Sequence, residues 1–260
     1  MNLHKDLQDE VFDVPIGLES LPFVLRLSEI LKSKVNNSLE AFRFKVYSPT
    51  PLLEERIKET TDPVVLETIK RASELRTQWL AMTGTNLAFW DSISAASLVD
   101  SQSDALIQEA VRHDAKSEAR EISVEDLTHA IIQQMIGQLP AGSVLGLYSG
   151  CRLQDGSISH IPMMDFRGVP SQRHLGRIKK GLQSIGQTKG AIFESGRSYH
   201  FYGYDLLAHE EWLDFMGKCL LLAPLIDSRY IAHRLIEGEA ALRLSSSDAK
   251  PQIPTVIGTL

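Results

Sequence analysis

The stretch from Val144 to Arg167, VLGLYSGCRLQDGSISHIPMMDFR, decides the fold. Val144 to Leu153 and Ile158 to Phe166 are apolar or β-favouring runs, and Gln154-Asp155-Gly156 between them has turn chemistry, so the pair reads as a short-loop hairpin. Pro162 interrupts the second run because proline has no N–H to give a ladder, and the strand is best taken from Met163 onward. Downstream, Leu175, Ile178, Leu182 and Ile185 share one arc at about 100° per residue, which predicts a helix over Ser171 to Ser184. Arg173, Arg177 and Lys180 fall on its opposite face, as a solvated row or as cations presented to a ligand. Ala191 to Glu194 and Tyr199 to Tyr204 read as strands about a Ser195-Gly196-Arg197 turn. His209 to Leu222 and Ser228 to Glu237 read as helices, with Ala240 to Leu244 as a strand after Gly238. This order points to a sandwich of the α/β or α+β kind, a sheet backed by helices. It is not a Rossmann alternation, and neither GxGxxG nor GxxxxGK[ST] occurs.

Upstream, Pro140 and Gly142 mark a boundary between residues 1–140 and 141–260. The first part reads as mostly helical, with apolar residues at helical spacing in Leu18 to Leu31, Pro63 to Leu80 and Ser123 to Ile136. Ser123 is the expected N-cap of the last of these, with Glu125 and Asp126 in its first turn and Gly137 and Pro140 closing it. Ser92 to Arg120 is polar, either a helix pair or a mobile surface excursion. Trp79, Phe89 and Trp90 suit a packed core or an interdomain role.

A hydrophobic fraction of 43% and a charged fraction of 23% are those of an ordinary globular protein. Met1 to Glu10 lacks the apolar core of a secretory signal, and the apolar run Cys219 to Ile226 is far short of the roughly 20 residues that span a bilayer. The expectation is a cytoplasmic protein with no membrane partner. Cys151 and Cys219 form no CxxC pair, so neither a disulfide framework nor zinc is expected. The net charge of −6 is unevenly spread: residues 1–140 carry 14 basic and 22 acidic side chains, residues 167–200 carry 7 and 1. An anionic ligand is therefore sought at the basic segment.

Several side chains carry candidate chemistry. Asp165 ends an apolar strand, where a carboxylate either meets Mg²⁺ or Mn²⁺ at a sheet edge or caps a turn or helix. Asp227 precedes a predicted helix, which suits an N-cap as well as a ligand role. Ser198 and His200, two apart on a strand, project from one face; a lone strand histidine is either a satisfied structural residue or, with Ser198 and Arg197 beside it, suited to a triphosphate. Arg243 lies within an apolar strand and needs an anion, either a ligand phosphate or an internal carboxylate.

As an ordered set these residues resemble archaeo-eukaryotic primases and primase-polymerases: a strand ending in an acid, a Ser-x-His after a Gly-Arg turn, an apolar-Asp motif, then a Leu-Arg strand followed by Lys and Pro. The resemblance covers about residues 144–257. It implies an α+β fold, a mixed sheet with an RRM-like primase core backed by helices and preceded by the mostly helical N-terminal region. It also implies nucleotidyl transfer from nucleoside triphosphates on a single-stranded template. Asp165 and Asp227 would be catalytic and hold Mg²⁺ or Mn²⁺. Ser198, His200, Arg197, Arg243, Arg167 and Lys250 would bind nucleotide, and Arg173, Arg177 and Lys180 nucleic acid. One departure stands out: Arg167 occupies the position two after Asp165 where the family pattern has a second acid. A cation there opposes a second metal ion but suits a phosphate. The alternative is an inactive nucleotide- or nucleic-acid-binding module whose acidic helical region docks a protein partner.

Overall fold

The computed structural model describes residues 14–36, 38–48, 60–84, 87, 89–97, 117–196, 198–248 and 250–260. Along them run α1 (Ser20–Lys34), β1 (Leu39–Tyr47), α2 (Pro63–Thr83), α3 (Phe89–Ser97), β2 (Glu118–Ser123), α4 (His129–Gly137), β3 (Val144–Leu153), β4 (Ile158–His160), β5 (Met163–Phe166), α5 (Gln172–Ser184), β6 (Gly190–Glu194), β7 (Tyr199–Gly203), α6 (His209–Leu220), α7 (Ser228–Glu237), β8 (Ala241–Arg243) and β9 (Thr255–Thr259). Two sheets carry the fold. The first has the order β2-β1-β3-β4, with β8 also paired to β3; the second has the order β5-β7-β6-β9. The architecture is α+β as expected. Every pairing is antiparallel, however, so neither sheet is mixed.

β3 is the hub because its residues from Val144 to Gly150 are buried throughout, the pattern of a strand covered on both faces. β1 runs along one edge of β3, while β8 and β4 share the other edge. Gly146 makes the β3–β8 approach feasible, since a Cβ there would sit 3.1 Å from the Leu242 carbonyl oxygen and from Tyr47 Cε1. The β3–β4 turn is built as its sequence suggests, with Asp155 Oδ1 accepting from the Ser157 N–H at 2.9 Å and Gly156 at φ +83°. The run Ile158 to Phe166 is two strands rather than one. Pro162 ends the pairing with β3, and its carbonyl accepts from Gly203 N–H at 2.8 Å as the chain crosses into the second sheet.

The described N-terminal part is mostly helical as expected, with two strands added. β1 and β2 belong to the first sheet, and Ser123 closes β2 instead of capping a helix. The cap of α4 is Thr128, whose hydroxyl accepts from Ile131 N–H at 3.3 Å. α1 buries Phe23 against Phe193 and Tyr202, with ring centroids at 4.7 and 5.3 Å, and so covers one face of the second sheet. Burying a Phe side chain of this kind contributes about 2–3 kcal/mol. α5 covers the other face: Ser171 caps it, Leu175, Ile178 and Leu182 point inward, and the Tyr199 hydroxyl donates to the Ser171 carbonyl at 3.1 Å. α2 and α3 have a small core of their own, Ala72, Ile93 and Ala96, against which Phe89 and Trp90 pack. The part of the Ser92 to Arg120 stretch beyond α3, residues 98–116, lies outside the described residues. Cys151 and Cys219 are buried free thiols, and burial raises the pKa of both. Among the described residues, no helix is long and apolar enough to cross a membrane.

Candidate nucleotide site

The two sheets meet along a cleft of about 250 Å³. Its walls come from five directions: Lys45 and Tyr47 on β1, Asp165 on β5, Ser198 and His200 at β7, Tyr230 and Arg234 on α7, and Arg243 on β8 with Lys250 beyond it. Among the described residues, four cations and one carboxylate line this cleft in a chain whose overall charge is −6.

Strand pairing sets the floor. Asp165 and His200 are direct cross-strand partners, so their side chains share a face, and His200 Nε2 lies 4.0 Å from Asp165 Oδ1. Ser198 Oγ donates to the same Asp165 oxygen at 3.0 Å. Burial first, and then the neighbouring Asp227 charge, push the Asp165 carboxyl up to about 7 against the opposing pull of Ser198, Lys250 and Arg167. Burial, then Arg243 and Lys250, push His200 down to about 3, so its imidazole is neutral. Its Nδ1 is buried without a hydrogen-bond partner.

Arg243 resolves the question its sequence raises in a third way. Its guanidinium donates to three carbonyl oxygens, those of Ser245 at 2.6 Å, Gln252 at 2.7 Å and Ser195 at 2.8 Å. No described carboxylate pairs with it, so the group is held rigidly and keeps its full charge at the cleft wall.

Asp227 is next to Asp165 in space. The segment Leu225 to Asp227 runs along the open edge of β5, with Arg167 N–H to Leu225 O at 2.7 Å and Asp227 N–H to Asp165 O at 3.4 Å. The Asp227 carboxylate, however, is committed. Its Oδ1 caps α7 by accepting from Arg229 N–H at 3.0 Å and Tyr230 N–H at 3.3 Å, and accepts from Arg167 Nη2 at 3.0 Å. The same Arg167 nitrogen meets Asp91 Oδ2 at 2.6 Å, and Asp91 also holds Arg229 at 3.0 Å. Arg167 thus bridges two acids, and a phosphate would have to compete with both for it.

The metal expectation meets the same obstacle. Two divalent ions need several shared carboxylates, and here a guanidinium lies beside Asp227 while Asp165 stands alone in the cleft. Among the described residues, no group of three or more His, Cys, Asp or Glu side chains is placed to hold a metal ion. The residues present do not fit a two-ion Mg²⁺ or Mn²⁺ centre.

Arg173, Arg177 and Lys180 are exposed on α5, as the periodicity predicts. Tyr199, which anchors the start of α5, alternates with His200 along β7, so α5 lies on the face of the sheet opposite the cleft. The basic row of α5 and the cleft are consequently on opposite faces of the second sheet. Arg197 lies outside the described residues. Lys45, Tyr47, Tyr230, Arg234 and Asp91 are additions that sequence reading misses. Lys45 alone had a signal, as a lysine inside the alternating strand Leu39–Tyr47.

No curated protein and no solved structure matches the chain. A family model does match, that of the archaeo-eukaryotic primase 1D-like proteins, over residues 123–255. This segment begins at the end of β2, ends at the start of β9, and contains Asp165, Ser198, His200, Asp227, Arg243 and Lys250. With more than half of its 260 residues covered, the chain belongs to the archaeo-eukaryotic primase-like family.

Proposed function

We propose that the cleft binds the phosphates of a nucleoside triphosphate, and that the domain serves as a nucleotide- and nucleic-acid-binding module without two-ion nucleotidyl transfer. The observation that carries this reading is the charge of the cleft: among the described residues, four cations, one of them a rigid Arg243 with no described carboxylate partner, face a single acid. The size agrees. A volume of about 250 Å³ is below the roughly 300–1,000 Å³ of pockets that enclose a drug-sized ligand, so it suits the phosphates with the nucleoside projecting outward. The Asp91–Arg167–Asp227 ion pairs support the absence of two-ion chemistry. Single-stranded nucleic acid is the partner suited to the exposed row Arg173, Arg177 and Lys180, on a separate surface, and a protein partner belongs to the N-terminal part.

A second reading keeps template-directed nucleotidyl transfer, and Asp165 favours it as the one acid turned into the cleft. The test combines equilibrium binding of a fluorescent nucleoside triphosphate with a primer-synthesis assay on single-stranded templates supplied with Mg²⁺ or Mn²⁺. Saturable, salt-sensitive binding that weakens about tenfold in Lys250→Ala, with no incorporated label, is the expected outcome. Incorporation that disappears in Asp165→Ala establishes the enzyme reading instead. Absence of triphosphate binding removes both.

A further inference from the structure

Two cleft cations lie outside the set that the motifs assign. Lys45 Nζ meets both oxygens of Glu237 at 3.1 Å, and Arg234 grips the same carboxylate in a fork, Nη1 to Oε2 at 2.6 Å and Nη2 to Oε1 at 3.1 Å. The three side chains are only 6%, 13% and 12% exposed, so little water screens them. One carboxylate cannot neutralise two cations. The adjacent Glu239 is already bonded to Arg43 at 2.6 Å, and Arg234 Nε is buried with no hydrogen-bond partner.

The position of Glu237 is informative. It is the last residue of α7, where exposed carbonyls disfavour a negative charge, so the cations hold it there against the helix. Lys45 and Arg234 line the cleft, whereas Glu237 lines a neighbouring hollow with Arg43, His160, His209, Gly238 and Glu239. The carboxylate therefore fixes both cations from behind and leaves the cleft side to a ligand. Burial first and the Arg234 charge second lower the Lys45 pKa, against the opposing pull of Glu237 and Glu239.

We propose that Lys45 and Arg234 form a second phosphate subsite, separate from the one at Ser198, His200 and Arg243, so that the cleft selects polyphosphates over single phosphates. This rests on the nucleotide-binding reading above. One subsite would take the phosphate nearest the sugar and the other the distal phosphates, while a nucleoside monophosphate would reach only one.

The experiment measures affinities of the full chain for a nucleoside mono-, di- and triphosphate and for inorganic triphosphate by calorimetry, at two salt concentrations. Expected is a triphosphate preference over the monophosphate of about tenfold or more, with inorganic triphosphate competing. Lys45→Met should lower triphosphate affinity about tenfold and leave monophosphate affinity within about twofold. Glu237→Gln, which keeps the size of the side chain, should tighten triphosphate binding by removing an anion behind the subsite. Should Lys45→Met fail to fold, the wild-type preference and Glu237→Gln still decide. Equal affinity of wild type for mono- and triphosphate, or equal losses for both in Lys45→Met, overturns the subsite while leaving nucleotide binding intact. Absence of binding by any nucleotide overturns the underlying reading instead.

Discussion

Asp165→Asn isolates the electrostatic state of the cleft. The asparagine keeps the oxygen that accepts from Ser198, so the packing is preserved and only the ionisation is lost. In the fold the carboxyl titrates at about 7 against an ordinary 3.8, which means the folded protein holds this proton more tightly than the unfolded chain does. Such a group adds nothing unfavourable below about pH 3, where both states are protonated, and little at pH 4. Its cost grows as pH rises and is complete above about 7. At about 1.36 kcal/mol per pKa unit the full cost is about 4 kcal/mol. The side chain is 32% exposed toward the cleft, and water there reduces the figure to about 1–2 kcal/mol. Urea unfolding of wild type and variant at half-unit steps from pH 4 to 8.5 measures it. The variant should equal wild type near pH 4 and exceed it by about 1–2 kcal/mol at pH 8. Triphosphate binding at pH 8 should tighten in parallel, because an anion facing phosphates has been removed. A stability difference that is flat across this range, or a variant weaker than wild type at pH 8, refutes the argument that burial governs this acid.

Three further outcomes follow from the structure. Arg167→Met should cost about 2–3 kcal/mol in chemical denaturation, since it strands Asp91 and Asp227, and should also raise the Asp165 pKa in a carboxylate-resolved NMR titration. His160 is pushed down to about 4 by burial first and the His209 charge second, so the unfolded chain takes up a proton that the fold refuses; stability drops as pH falls from about 6.5 toward 4, and His160→Gln should flatten that acid limb by about 2 kcal/mol. Gly146→Ala places a methyl 3.1 Å from both a backbone carbonyl oxygen and the Tyr47 ring, and should lower stability by about 1–2 kcal/mol and weaken triphosphate binding through the displaced tyrosine.

Elements whose signal is local were legible in the sequence. The β3–β4 turn announces itself through Asp155 and Gly156, and α5 through its leucine and isoleucine arc. β1 carried a usable alternation, Phe42, Phe44 and Val46 against Arg43, Lys45 and Tyr47, that a helical view of the N-terminal half overlooks. β9 had no comparable signal, because pairing with β6 is what makes Thr255–Thr259 a strand. Within the site, Asp165, Ser198, His200, Arg243 and Lys250 were found because the motif order draws them to one cleft. The charge logic around Arg167 was visible only in part. Its rank two after Asp165 warned against a second metal, but Asp91, its partner from a helix 76 positions earlier, has no sequence signature. The basic segment of residues 167–200 divides between the two faces of its sheet, Ser198 and His200 at the cleft and α5 on the far side, because charge density along the chain does not say which face a helix covers.

The place of β1 has a practical bearing on how the protein can be dissected. A recombinant fragment trimmed to residues 123–255 would omit the strand that covers one whole margin of β3, together with most of β9 on the second sheet. The bare margin would present unsatisfied amides and apolar side chains to other copies, an invitation to intermolecular pairing. Such a piece should precipitate or swap strands, and it would lack the lysine and tyrosine that finish the cleft. Any minimal expressible unit must therefore start ahead of Leu39.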